Sequence, residues 1–141
     1  MEIKLDVSAL KLISLFESVT RAAVRDCITL EDKVVFVVNK GDAGAAIGEK
    51  GDNIHRLRDI LRKNIEIVEW ADTPEEFIRN IFHAFDVTGV KIEKRGSRNT
   101  AVVCVDPGQK ARAIGKQGRN LHQARDILAR HFQGIDAVLI A

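Results

Sequence analysis

Two short stretches bring together the residue types that hold an anion: Ala46-Ile47-Gly48-Glu49-Lys50-Gly51-Asp52-Asn53-Ile54-His55 and Ala113-Ile114-Gly115-Lys116-Gln117-Gly118-Arg119-Asn120-Leu121-His122. In each, two glycines bracket two polar residues ahead of an amphipathic segment. Such a turn lets another backbone approach with no Cβ in the way, while unpaired N–H groups of the following helix point at the visitor. A phosphate fits that arrangement. Lys50 or Lys116 adds a cation at the same spot, and Ile47 or Ile114, just ahead of the turn, can floor a groove beside the adjoining strand. The pattern predicts a site for nucleic-acid backbone. A tight helix–helix corner is the structural alternative, and recurrence of the turn with the same flanks weighs against it.

The recurrence is extensive. At an offset of 67 residues the match continues through Arg58-Asp59-Ile60-Leu61 and Arg125-Asp126-Ile127-Leu128, and backward through Val38 and Gly41 against Val105 and Gly108. The chain therefore reads as two copies of one small module. Residues 1–71 form the first copy and 72–141 the second.

Charge separates the copies. Residues 1–72 carry 11 basic and 13 acidic side chains, and residues 73–141 carry 11 and 7, so the net charge of +2 divides into −2 and +4. Glu49 sits beside Lys50 and Asp52 follows, which repels phosphate. Around the second turn stand Lys116 and Arg119, with Lys110, Arg112 and Arg125 close in sequence. The second turn is expected to be the stronger clamp.

Other candidate chemistry is weaker. His55 and His122 match across the copies, but neither has a second His or Cys at metal spacing, and both are read as helix-surface residues. Arg58-Asp59 and Arg125-Asp126 are read as helix-surface charges, and Asn53 and Asn120 as candidates for RNA contact. Cys27 and Cys104, 77 residues apart in apolar segments, are read as buried thiols. A nucleotide-hydrolysing loop would need Gly-Lys-Ser/Thr or a Gly-x-Gly-x-x-Gly after a strand, and residues 41–51 supply neither. No enzyme activity, metal or cofactor is expected. Stacking of bases on aromatics is disfavoured too, because the chain has no Tyr and its six Phe lie at core periodicity.

With 141 residues, 45% of them hydrophobic, the chain can bury one ordinary core or two small ones. No apolar run approaches the ~20 residues of a membrane span. Met1-Glu2-Ile3-Lys4-Leu5-Asp6 lacks the basic-then-apolar build of a signal peptide. A cytoplasmic monomer with no membrane partner is expected.

The turns need elements to position them. Apolar residues at spacings of three and four predict a helix over 8–26, with Asp6 or Ser8 as N-cap. Residues 27–30 and the run Val34-Val35-Phe36-Val37-Val38 predict a hairpin around Glu31-Asp32-Lys33. A short helix over 39–47, capped by Asn39, leads to the first turn; a helix over 52–63 and a strand ending near Trp70 follow. Thr73-Pro74-Glu75-Glu76 is a capping box with Pro at the first helical position, and Phe77, Ile78, Ile81, Phe82 and Phe85 form the face of that helix. Strands around Lys91 and at 101–105 come next. A short helix opening at Asp106-Pro107, the second turn, a helix over 120–131 ended by Gly134, and a strand at 137–140 complete the second copy. The junction is about Ala71-Asp72 alone, so a packed pair is expected, with Trp70 either a wedge between the modules or a cap on the first core.

Strand, helix, Ile-Gly-x-x-Gly, helix, strand resembles the KH domain, whose GXXG loop clamps about four nucleotides of single strand. The helix and strand ahead of that core are similar to the prokaryotic, type II arrangement. The fold class implied is α+β: two tandem KH domains, each a mixed three-stranded sheet against three helices. The pair, with Ile65-Glu66-Ile67-Val68-Glu69-Trp70-x-x-x-Pro74-x-x-Phe77-Ile78 joining it, resembles the tandem KH region of the NusA family of transcription termination and antitermination factors, in its short archaeal form. The polymerase-binding and OB-fold domains of the bacterial form are not expected in this chain. The resemblance implies single-stranded RNA as partner, a nascent transcript or an rRNA leader, with RNA polymerase or ribosomal proteins as further partners to consider. It implies Ile47, Gly48, Glu49, Lys50, Gly51 and Asn53, and Ile114, Gly115, Lys116, Gln117, Gly118, Arg119, Asn120, Lys110, Arg112 and Arg125, as RNA-binding residues. A ribosomal or general RNA-binding KH protein, or a protein-interaction module using the first helix, are the alternatives.

Overall fold

A computed structural model describes residues 6–141. Met1-Glu2-Ile3-Lys4-Leu5, on which the reading of a leader bears, lie outside the described residues. The chain forms two compact units, one ending at Trp70 and the other beginning at Ala71.

In the first unit, α1 (Val7–Thr20) starts at Asp6, whose Oδ1 accepts from Ala9 N at 2.7 Å. The helix stops six residues short of the expected end. Arg21 takes a left-handed conformation (φ 61°), its N–H donates to Glu17 O, and the Thr20 hydroxyl donates back to Phe16 O and accepts from Ala22 N. The residues after it are drawn into β1 (Val24–Thr29), which begins three residues earlier than the sequence suggests because Val24 and Asp26 pair with Val38 and Val37. Tertiary pairing overrides the helical spacing of Ala23.

β2 (Lys33–Val38) is central, antiparallel to β1 and parallel to β3 (Asn64–Glu69), with Cys27 opposite Phe36 and Phe36 opposite Ile67. A parallel partner requires a crossover, and the crossover is α2 (Ala43–Ile47), the first Gly-x-x-Gly turn and α3 (Asp52–Leu61). Phe16 stacks on Phe36 at 4.2 Å, and Ile13, Val34, Val38, Ala46, Leu57, Ile65 and Ile67 complete the core. Leu57 and Ala46 thereby fasten the helices on either side of the turn to the sheet. Trp70 is half-buried, with the Arg25 guanidinium 3.9 Å over its ring and its backbone N–H donated to Val38 O.

The second unit repeats this order. α4 (Pro74–Ile81) opens as expected, with Thr73 accepting from Glu76 N, but ends before Phe85, which packs beside Phe82 from outside the helix. β4 (Val87–Arg95) and β5 (Arg98–Val105) form the hairpin, and β6 (Ala137–Ile140) lies parallel to β5. Between them run α5 (Lys110–Ile114), the second turn and α6 (Arg119–His131). Phe132, in an extended conformation, ends α6 rather than Gly134. Phe77, Ile78, Phe82, Val103, Ala113, Ala124, Ile127 and Leu128 are buried. Cys27 is buried as expected, whereas Cys104 is only half-buried, because it stands opposite Gly89, which has no side chain to cover it. Glu93 on β4 has its carboxyl held below the ordinary range by a hydrogen bond from Arg95, with Lys91 adding to the effect.

Candidate nucleic-acid interface

Each turn is built from a short helix, a single 3-10 turn and a longer helix. In the first copy Gly48 has φ 81° and ψ 169°, Lys50 φ 55° and ψ 26°, and Gly51 φ 76° and ψ 17°. In the second Gly115 has 80° and 166°, Gln117 57° and 28°, and Gly118 73° and 19°. The first glycine of each pair occupies a region open essentially to glycine alone. A Cβ there would lie 2.9 Å from the backbone nitrogen of Asn53 or Asn120. The second glycine is less constrained: a Cβ would meet the ring of His55 or His122 at 3.5 Å, an ordinary contact.

Asn53 and Asn120 hold the turn closed. Their Nδ2 groups donate to Ala45 O and Arg112 O, each at 2.9 Å, carbonyls in the helix before the turn. These bonds tie each asparagine to the helix ahead of the turn, a contact that residue type alone did not foretell. Gly51 N–H donates to Gly48 O and Gly118 N–H to Gly115 O, which closes the 3-10 turn across each glycine pair. The lead helix is anchored differently in the two copies. Asn39 does not cap α2: its Oδ1 accepts from Arg25 Nε at 2.9 Å, while Asp42 Oδ2 accepts from Ala23 N and Glu69 Oε1 from Ala43 N. Ahead of α5, Gln109 Nε2 donates to Asp86 Oδ2 at 2.7 Å.

The middle residues Glu49, Lys50, Lys116 and Gln117 are all exposed, as are Lys110, Arg112, Arg119 and Arg125. Ile47 is 39% exposed and Ile114 half-buried, so an apolar side chain adjoins each turn. At the same offset of 67, Lys110, Arg112, Lys116 and Arg119 of the second copy stand where the first has Ala43, Ala45, Glu49 and Asp52. Four cations in one copy thus face two small residues and two carboxylates in the other. Arg125, on the second turn of α6, lies 4.0 Å from its neighbour Asp126. His55 and His122 are exposed on their helices. Among the described residues no group of three His, Cys, Asp or Glu is placed to hold a metal ion, and no helix is long and apolar enough to cross a membrane.

Comparison with known proteins agrees with this geometry. The family described as "NusA-like second KH domain" matches residues 74–133, and that described as "KH domain" matches residues 12–72. The chain is 38% identical over 130 residues to the "Probable transcription termination protein NusA" of Methanococcus vannielii, covering 92% of this chain and 75% of that one. It is 36% identical over 141 residues to the protein of the same name from Halococcus morrhuae, covering all of both. It is also similar to the solved structure titled "Crystal structure of APE1850", with TM-score 0.79 and 34% identity over 97% of this chain and 100% of that one.

Proposed function

The chain belongs to the NusA family, as a tandem pair of KH domains, and from that premise we propose that it binds single-stranded RNA in transcription termination or antitermination. The observation that carries this reading is the duplicated turn: the same glycine geometry twice, with exposed cations at its rim. A phosphodiester oxygen rests against the N–H groups at the head of the turn, where neither glycine has a Cβ to keep it away. In the second copy Lys116 and Arg119 neutralise the charge, with Lys110 and Arg112 along α5. Ile114 or Ile47 offers an apolar surface for the sugar or base beside the backbone. Asn120 and Asn53 keep the lead helix at the distance the turn requires.

The chemistry is binding alone: no residue in either turn is assigned a catalytic role. The protein acts in the cytoplasm as a monomer on a nascent transcript or rRNA leader, and contact with RNA polymerase or ribosomal proteins is a further step of the same proposal. The test is titration with single-stranded RNA over a range of salt. Neutralising Z phosphates gives a slope of log affinity against log salt of about −0.7Z. A salt-independent affinity, or a preference for duplex over single strand, would count against this reading.

A further inference from the structure

The first unit has an acidic turn, yet four of its basic residues are gathered at the opposite end of α3. There a cleft of about 480 Å³ is lined by Lys33, Arg58, Arg62, Lys63 and Asn64 together with Leu30, Glu31 and Asp32. Lys33 is engaged in an ion pair with Glu66. Arg58, Arg62 and Lys63 are exposed and in no ion pair among the described residues. Arg58, Arg62 and Lys63 outnumber the carboxylates Glu31 and Asp32 of the lining, so the α3 side of the cleft is positive.

The second unit differs at the corresponding end. At the offset of 67, Arg58 and Lys63 keep basic counterparts in Arg125 and Arg130, whereas Lys33 becomes Thr100, Arg62 becomes Ala129, Glu31 becomes Arg98 and Asp32 becomes Asn99. The backbone differs too. Thr100, paired with Ala137, follows Lys33 by 67 residues, but Ala137 follows Asn64, the partner of Lys33, by 73; of the six extra residues three lengthen α6 to His131 and three lengthen its link to β6. Those residues fold onto the start of β5. Asn99 Nδ2 donates to Gly134 O at 2.9 Å, Asn99 N to Asp136 Oδ2 at 2.8 Å, and Arg98 Nη2 to Asp136 O at 3.2 Å. In the first unit Arg62 instead takes a left-handed conformation (φ 55°) that ends α3 at Leu61 and sends the chain directly into β3. A non-glycine residue in that region is a local cost, and here it leaves the end of the helix open.

We propose that this cleft is a second phosphodiester subsite, formed by Arg58, Arg62 and Lys63, which takes the RNA strand about one length of α3 away from the Gly48 to Gly51 turn. The inference rests on the RNA-binding reading of the turns. Ten helical residues span about 15 Å, a few nucleotides of extended strand, so one RNA reaches both ends of the helix. Positive charge in the first unit then stands on the path of the strand beyond its acidic turn.

The test compares the parent chain with an R58Q/R62N/K63Q variant, using Asn at position 62 because it tolerates the left-handed conformation. Two probes are titrated over a range of salt: a four-nucleotide single-stranded RNA that fills one turn, and a homopolymeric RNA long enough to span α3. The variant is expected to bind the long RNA about tenfold more weakly, with a salt slope shallower by about 2, from ~0.7 per lost phosphate contact. It should bind the short RNA as the parent does. An unchanged long-RNA slope overturns the subsite, and so does an equal loss on both probes, which would mark a general field effect. R58Q/K63Q, which leaves the backbone at Arg62 untouched, should show an intermediate slope; if the triple variant unfolds and this one binds as the parent does, the subsite is also overturned. A parent chain that binds neither probe overturns the reading of the turns themselves, whereas a parent weakened by K116D/Q117D but indifferent to R58Q/R62N/K63Q removes only the cleft.

Discussion

The two Gly-x-x-Gly turns have one backbone and two charge patterns. Their corresponding φ and ψ angles at the two glycines and the second middle residue differ by no more than 3°. Each glycine pair is closed by the same asparagine bond to the lead helix. Yet four basic side chains in the second copy stand where the first has Ala43, Ala45, Glu49 and Asp52. Backbone shape and local charge are thus set by separate residues. Shape resides in Gly48, Gly51, Asn53 and their counterparts, which touch the protein itself. On the proposed reading, attraction resides in the exposed side chains of Lys110, Arg112, Lys116 and Arg119.

The comparison breaks most visibly at the first glycine of each pair. Gly48→Ala and Gly115→Ala should each destabilise their own unit by about 2–3 kcal/mol, because the backbone region excludes side chains and the new Cβ meets the next asparagine's backbone. The two costs should agree, since the geometry does. Hydrogen exchange of core amides such as Val34 and Val103 reads each unit separately; costs that differ widely would show that the turns are not mechanically equivalent.

Charge can be moved without shape. Glu49→Lys with Asp52→Arg gives the first turn two cations of the second, and should raise affinity for single-stranded RNA by about tenfold at low salt and steepen the slope by up to about 1.4. No gain would mean that the first turn is closed to RNA for a reason other than repulsion. A smaller effect is expected from Asn53→Ala and Asn120→Ala, about 1 kcal/mol each, from a lost hydrogen bond. It should appear in the stability of the turn's own unit as well as in binding, because these side chains hold the lead helix. Loss of RNA affinity with unchanged hydrogen exchange would instead return them to direct contact.

Much of the architecture is legible in the sequence because local signals agree with one another. The valine run, the Thr73-Pro74 helix start and the offset of 67 specify strands, a helix boundary and a repeated αβ unit without reference to distant contacts. What was not legible depends on such contacts. The end of α1 is set by the pairing of Val24 and Asp26 with β2, which the spacing of Ala23 obscured. Asn39 resembles a cap, but Arg25 claims its side chain across the hairpin. Within the site, the glycines and flanking cations stood out by type and spacing, whereas the inward bond of each asparagine did not, because Asn serves a bound strand or a backbone carbonyl with the same group. The cleft at the end of α3 was hidden for a different reason. Its cations lie at sequence positions 58, 62 and 63, ordinary for a helix surface, and only the left-handed Arg62 and the six-residue difference between the copies bring them around an open space.

If charge ranks two turns of equal shape, one paired titration shows it. K116D/Q117D sets two carboxylates against phosphate in the basic copy, while E49D/K50D alters a turn that already holds an acid. With about 1 kcal/mol for each changed charge at an exposed contact, the first pair should cost on the order of tenfold or more in affinity for one single-stranded RNA, and the second pair less. Circular dichroism should show both variants folded, since the substituted side chains are exposed in the turn. A larger loss from E49D/K50D, with both variants folded, would make the first turn the stronger clamp.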